Sequence, residues 1–138
     1  MADIYSITKR SKIMSKISGK NTKPEIIIRK IVHSLGYRFR LHKKELPGKP
    51  DIVFLKLKKV IFVNGCFWHG HKNCIRSKLP TTNKKFWKEK IEGNKRKDKS
   101  NYIRLKKLGW DYLVIWQCKI KQGNKQKLID EITNFLTP

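Results

Sequence analysis

Val60 to Cys74 reads VIFVNGCFWHGHKNC, and the rest of the chain can be ordered around this stretch. Val60, Ile61, Phe62 and Val63 form an unbroken apolar run that closes on polar Asn64, the pattern of a buried strand reaching the end of a sheet. Gly65 breaks the strand. The following loop carries Cys66, His69, His71 and Cys74, with Phe67 and Trp68 side by side after the first cysteine. The short steps from Cys66 to His71 and on to Cys74 let one turn wrap a metal ion. Cys118 would bring the third and last cysteine from a distant strand end and close a tetrahedral site of the structural, zinc-binding kind. By spacing alone His69 could replace His71, and buried thiols without a metal are the plainer alternative. A loop pinned in this way would hold Phe67 and Trp68 away from the core, whereas without the pin they would pack into it.

Upstream, Leu46-Pro47-Gly48-Lys49-Pro50 is a rigid loop, and Asp51 opens the apolar run Ile52 to Leu55. A carboxylate at the mouth of an apolar strand costs stability unless something binds it. If that strand and Val60–Asn64 form a hairpin, Asp51 and Asn64 share one sheet edge, with His69 close behind. Such a carboxylate suits Mg²⁺ held against a phosphate, and an imidazole suits proton removal from water. A lone Asp before a strand is also a common turn residue. Further upstream, Thr22-x-Pro24-Glu25 reads as a capping box, which makes Glu25 a capping residue before a catalytic one. Ile28, Ile31, Val32 and Leu35 give that helix its apolar stripe, and Gly36 ends it. Alternation from Tyr37 to Leu41 predicts a strand. His33 and His42 have no partner in the sequence and read as surface or packing residues.

Downstream, Asn83 to Leu108 is strongly basic and predicts one long helix, or two joined near Gly93, with Thr82 a candidate cap. Asp111 to Trp116 reads as a strand and Lys125 to Leu136 as an amphipathic helix. The order helix, three strands, helix, strand, helix predicts an α/β sandwich. Its first three strands would form an antiparallel meander, and the long helix would cross over to place the fourth strand in the same small mixed sheet.

At 138 residues the chain predicts a single domain, residues 1–138, with residues 1–20 as a basic N-terminal arm or helix. Lys and Arg number 34 against 10 Asp and Glu, a formal charge of +24 that repels itself in a compact state and calls for a polyanionic partner. The odd cysteine count and the lack of an apolar leader argue against a secreted disulfide framework and for a reducing cytoplasm. No apolar run approaches a membrane span.

These residues together resemble the very-short-patch repair, or Vsr, endonucleases. The resemblance rests on Thr22-x-x-Glu25, LPGKPD from Leu46 to Asp51, VIFVNGCFWHGH, Phe86-Trp87-x-x-Lys90-Ile91, and Gly109-Trp110 through Trp116-x-Cys118. It implies a restriction-endonuclease-like fold of the PD-(D/E)XK type. It also implies a bacterial-type, cytoplasmic, nucleoid-associated monomer that nicks DNA 5′ of the thymine in T·G mismatches left by deamination of 5-methylcytosine. The implied partners are mismatched duplex DNA, a cytosine-5 methyltransferase and the mismatch-repair machinery. Asp51 would ligate catalytic Mg²⁺ together with the backbone carbonyl of Val63, Glu25 would hold a water of that ion, and His69 would be the general base. Cys66, His71, Cys74 and Cys118 would bind structural Zn²⁺, and Phe67, Trp68 and Trp87 would form a wedge between base pairs.

The chain departs from the nuclease class at Val63 and Gly65, which stand where an acid and a lysine are usual, a loss the Vsr pattern shares. Asn64 stands where some members carry a histidine, so its part is accessory, and the zinc loop is one residue longer than in some relatives. The competing classes are a zinc-stabilised basic module that binds nucleic acid without cutting it, and a sequence-specific restriction nuclease.

Overall fold

The computed structural model describes residues 22–72, 74–121 and 124–137; the expected N-terminal arm lies outside them. The elements are α1 (Lys23–Ser34), β1 (Arg40–Leu41), β2 (Ile52–Phe54), β3 (Lys59–Asn64), α2 (Lys84–Lys107), β4 (Asp111–Trp116), α3 (Gln117–Lys121) and α4 (Lys125–Leu136), with a 3-10 turn at Ile75–Ser77. The four strands form one mixed sheet in the order β1-β2-β3-β4. β1, β2 and β3 are an antiparallel meander, and β4 lies parallel to β3 from Lys59↔Asp111 to Asn64↔Trp116. A parallel neighbour requires a crossover, and the chain between β3 and β4, with α2 as its main element, supplies it.

Alternation along the strands sorts the core into two faces. Ile52, Phe54, Ile61 and Ile115 point to the side covered by α1 and α4, where Ile28, Val32, Leu128, Ile132 and Leu136 complete the packing. Val53, Val60 and Phe62 point to the other side, against Leu105 of α2, with Tyr102 and Tyr112 at the margin. Burying each such side chain contributes about 1.5–3 kcal/mol, which offsets the conformational entropy lost on folding. Among the described residues no helix is long and apolar enough to cross a membrane.

Four local expectations change. The strand expected from Tyr37 to Leu41 is only Arg40–Leu41, because β2 ends at Phe54, opposite Phe39, and offers no partner for Tyr37 or Arg38; Tyr37 and Phe39 pack against the core. Thr22 begins α1 without a side-chain cap, and Glu25 is buried at 2% exposure, so the capping box does not form. α2 is a single helix that passes through Gly93, whose helix propensity costs only about 1 kcal/mol. Its cap position is Asn83, in the left-handed region, rather than Thr82.

Candidate active site and metal centre

β2 starts and β3 ends at the same edge of the sheet, and the antiparallel register Ile52↔Ile61 carries Asp51 opposite Phe62, one residue from Val63. The Val63 amide donates to Asp51 Oδ2 at 2.7 Å. From α1, Glu25 reaches the same place. Its Oε2 lies 3.1 Å from an Arg29 guanidinium nitrogen and its Oε1 lies 3.1 Å from His42 Nε2. Glu25, His42 and Asp51 each bring a ligand atom within 4.8 Å of the others, an arrangement that could hold a metal ion. Burial pushes the Asp51 carboxyl up to about 7, against the pull of the Val63 amide; the neighbouring Glu25 carboxylate raises it further and Arg29 lowers it. Two carboxylates brought together in this way require a proton or a cation between them.

The loop after β3 folds back tightly, with the His71 amide donating to the Cys66 carbonyl at 2.9 Å. Gly70 makes this possible. Its φ is +59°, and a Cβ there would meet Ile91 at 2.7 Å and Lys95 at 2.8 Å, so the loop lies directly on α2. Cys66, His71, Cys74 and Cys118 come together, with ligand atoms within 4.8 Å of one another. Cys118 Sγ is 3.4 Å from His71 Nδ1, close to the roughly 3.5 Å expected of neighbouring donors in a tetrahedral zinc site. Burial pushes the Cys66 thiol up to about 12, partly countered by the Cys118 amide, so a cation would have to displace its proton. Burial, followed by the charge of Lys119, lowers His71 and favours the neutral, ligating imidazole. His71 also stacks on Trp116, with ring centroids 4.1 Å apart. The residues therefore fit a closed metal site, and His71 rather than His69 belongs to it.

His69 turns the other way. Its Nδ1 lies 2.6 Å from Asp98 Oδ2 on α2. In the neutral ring such a carboxylate selects the tautomer protonated at Nδ1, which presents a lone pair at Nε2. Asn64 is buried at 3% exposure and donates through Nδ2 to the Tyr102 hydroxyl at 3.3 Å. Phe67, Trp68 and Trp87 meet edge to face with centroid separations of 5.6–6.1 Å. The three expected wedge residues are thus assembled, but they do not all project. Phe67 and Trp68 are half-buried and Trp87 is fully buried, because α2 draws its ring under the other two. Phe86 is the partly exposed neighbour, 5.0 Å from Trp87.

Sequence reasoning missed His42, Asp98 and Tyr102. His42 is brought in by the β1–β2 register and a bond from its amide to the Asp51 carbonyl at 3.3 Å. A signal for the other two was available: Asn94, Asp98 and Tyr102 recur every fourth position on one face of a helix otherwise crowded with lysine. That face holds the Trp68 carbonyl, the His69 ring and the Asn64 amide in turn.

Comparison with known proteins agrees with this arrangement. A family described as DNA mismatch endonuclease Vsr matches residues 2–76. A type II nicking enzyme of Xanthomonas oryzae pv. oryzae is 46% identical over 138 residues, covering 100% of this chain and 99% of that protein. A type II nicking enzyme of Neisseria meningitidis is 45% identical over 121 residues, 88% of this chain and 86% of its own length. The DNA mismatch endonuclease Vsr of Escherichia coli is 39% identical over 131 residues, 95% of this chain and 82% of its own length. Matches of this extent make the protein an endonuclease, a hydrolase acting on DNA. More narrowly, the chain belongs to the DNA mismatch endonuclease Vsr family.

Proposed function

We propose that the chain nicks one strand of a duplex on the 5′ side of the thymine in a T·G mismatch, with Mg²⁺ held at Asp51, and so removes lesions left by deamination of 5-methylcytosine. The observation that carries this reading is the pairing, at one sheet edge, of Asp51 on the Val63 amide with His69 held by Asp98. In an extended strand the amide and carbonyl of one residue face the same neighbour, so the Val63 carbonyl also faces the Asp51 side and can serve as a second oxygen ligand. Bound Mg²⁺ would polarise the phosphate and neutralise developing charge. His69 Nε2 takes the proton from the attacking water, and Asp98 stabilises the imidazolium that results. Glu25 orients water at the carboxylate cluster, and Asn64 has an accessory part. Phe67 and Trp68, seated on Trp87, enter the base stack where a mismatch has already weakened it, because unstacking costs a few kcal/mol per step and costs less there.

Cys66, His71, Cys74 and Cys118 hold Zn²⁺ that fixes the loop bearing these groups. On this reading the fold is restriction-endonuclease-like, residues 1–138 act as one monomeric domain in the cytoplasm, and a cytosine-5 methyltransferase and the mismatch-repair machinery are functional partners. The test is a strand-resolved duplex, with T·G or T·A at one position, incubated with Mg²⁺ or with chelator. Cutting of one strand, at T·G only and with Mg²⁺ only, is expected. Cutting of both strands of paired DNA would favour a restriction nuclease, and binding without cutting would favour a structural module.

A further inference from the structure

His42 lies with Glu25 and Asp51 in one cluster of candidate ligand atoms and has no part in the proposed nicking reaction. Its backbone occupies the left-handed region, φ +49°, unusual for a residue with a side chain. His42 Nε2 is 3.1 Å from an Arg29 guanidinium nitrogen and 3.1 Å from Glu25 Oε1. One nitrogen cannot both accept from the guanidinium and donate to the carboxylate. It either donates to the carboxylate or accepts from Arg29, which can only donate; in the accepting tautomer the Nε2 lone pair converges with a carboxylate oxygen. Two electron-pair donors this close have the spacing of adjacent ligands around an octahedral cation, about 3.0 Å for bonds of about 2.1 Å. Asp51 brings a further oxygen within 4.8 Å of both.

We propose that His42 is a nitrogen ligand of the divalent cation at Asp51, and that the Arg29 guanidinium occupies its lone pair in the metal-free protein and must release it when the cation binds. This rests on the reading of Asp51 as a metal ligand. Its consequence is a metal preference. An imidazole nitrogen binds Mn²⁺ or Co²⁺ better than Mg²⁺, which favours oxygen, so this site should rank Mn²⁺ above Mg²⁺. A nitrogen from His42 beside Asp51 would also make good the missing second acid of the nuclease class.

The experiment uses the full-length, zinc-loaded protein and Mn²⁺ as the probe, read by electron paramagnetic resonance. One Mn²⁺ should bind, and pulsed spectra should show coupling to a directly bound nitrogen whose pattern changes when histidine is labelled with ¹⁵N. His42→Gln should remove that coupling and weaken Mn²⁺ at least about tenfold, while Mg²⁺ affinity measured by competition changes little. Arg29→Met should tighten Mn²⁺ binding. Absence of nitrogen coupling in the parent protein would overturn the proposal, as would coupling that survives in His42→Gln; weaker binding in Arg29→Met would overturn the competition. The labelled parent protein decides the matter even if a variant does not fold. Asp51→Asn separates the two readings. If it abolishes Mn²⁺ binding, Asp51 is the anchor whatever His42 does; if Mn²⁺ stays bound with unchanged affinity, the reading of Asp51 itself fails.

Discussion

Two ligand clusters flank the end of β3, and they differ in every respect that matters to a metal. Cys66, His71, Cys74 and Cys118 bring three sulfurs and an imidazole, a soft set of four that fills a tetrahedron and leaves no position for substrate. Glu25, His42 and Asp51 bring mainly oxygen and are too few to complete a shell. Both depend on the same strand end, since Val63 holds Asp51 while Cys66 opens the loop that follows. The closed cluster suits an ion that holds the chain, and the open one an ion that leaves room for phosphate and water. Phe67, Trp68 and His69 lie between Cys66 and His71, so the closed site would fix the groups that the open site works with.

The largest effect should follow from breaking the closed site. Pure protein should carry about one zinc per chain, and Cys118→Ser should lose it. Because structural zinc contributes folding energy directly, the stability loss should be on the order of several kcal/mol, and DNA binding and nicking should fall together. Metal analysis that finds no zinc would remove the basis of the comparison.

Breaking the open site should do the opposite, sparing fold and binding while stopping chemistry. Asp51→Asn and His69→Ala should each bind a T·G duplex about as well as the parent and nick it at least about a hundredfold more slowly in single-turnover assays. High Mg²⁺ should partly rescue Asp51→Asn, and raised pH should partly rescue His69→Ala by supplying hydroxide. A parental nicking rate in either variant would take that residue out of catalysis. Zinc lost from His69→Ala would mean that the two histidines divide the work differently from their positions here.

How much of this could be read in the sequence followed the kind of information involved. Strong local signals succeeded: the apolar run of β3, the strand Asp111–Trp116 and the helix Lys125–Leu136 lie where periodicity put them. The convergence of Cys66, His71, Cys74 and Cys118 was legible because chemistry limits which residue types and spacings can serve a metal. Glu25 was misread as a cap because the capping pattern is local and cannot register burial beneath a sheet edge. His42 was discounted because its partners come from α1 and the start of β2, and only strand register brings them together. Trp87 was expected in the wedge because sequence does not show which face of α2 meets the loop after β3.

A smaller effect concerns the aromatic cluster, which the closed site holds in place. Trp68→Ala should weaken binding to mismatched duplex by about 1–3 kcal/mol, the worth of one base–aromatic stack, and affect paired duplex much less. Fluorescence anisotropy on the two duplexes would show it. Equal losses on both would make Trp68 a packing residue of the Trp87 cluster.

The smallest effect asks how far the open site depends on what packs behind it. Tyr102 lies against Phe62, with ring centroids 5.3 Å apart, and stacks on Tyr112 at 4.5 Å, so the ring is held by contacts that phenylalanine would keep. Only its hydroxyl reaches Asn64, and the bond is long at 3.3 Å. Tyr102→Phe therefore removes one acceptor from a buried amide, and the cost should be near the lower end for an unsatisfied group, about 1 kcal/mol in a denaturant titration. Burial raises the Tyr102 phenol to about 12, against an unfolded value near 10, so below about pH 9 the proton is bound in both states. The stability difference should therefore stay constant between about pH 6 and pH 9, with no linkage slope from this group. Zinc content should not change, and nicking should fall by less than about tenfold, because Asn64 keeps its place in β3 through its backbone pairing with Trp116. A fall as deep as that of Asp51→Asn would mean that the Asn64 amide works on the reacting phosphate itself, and the open site would then include the last side chain of β3 as well as its carboxylates.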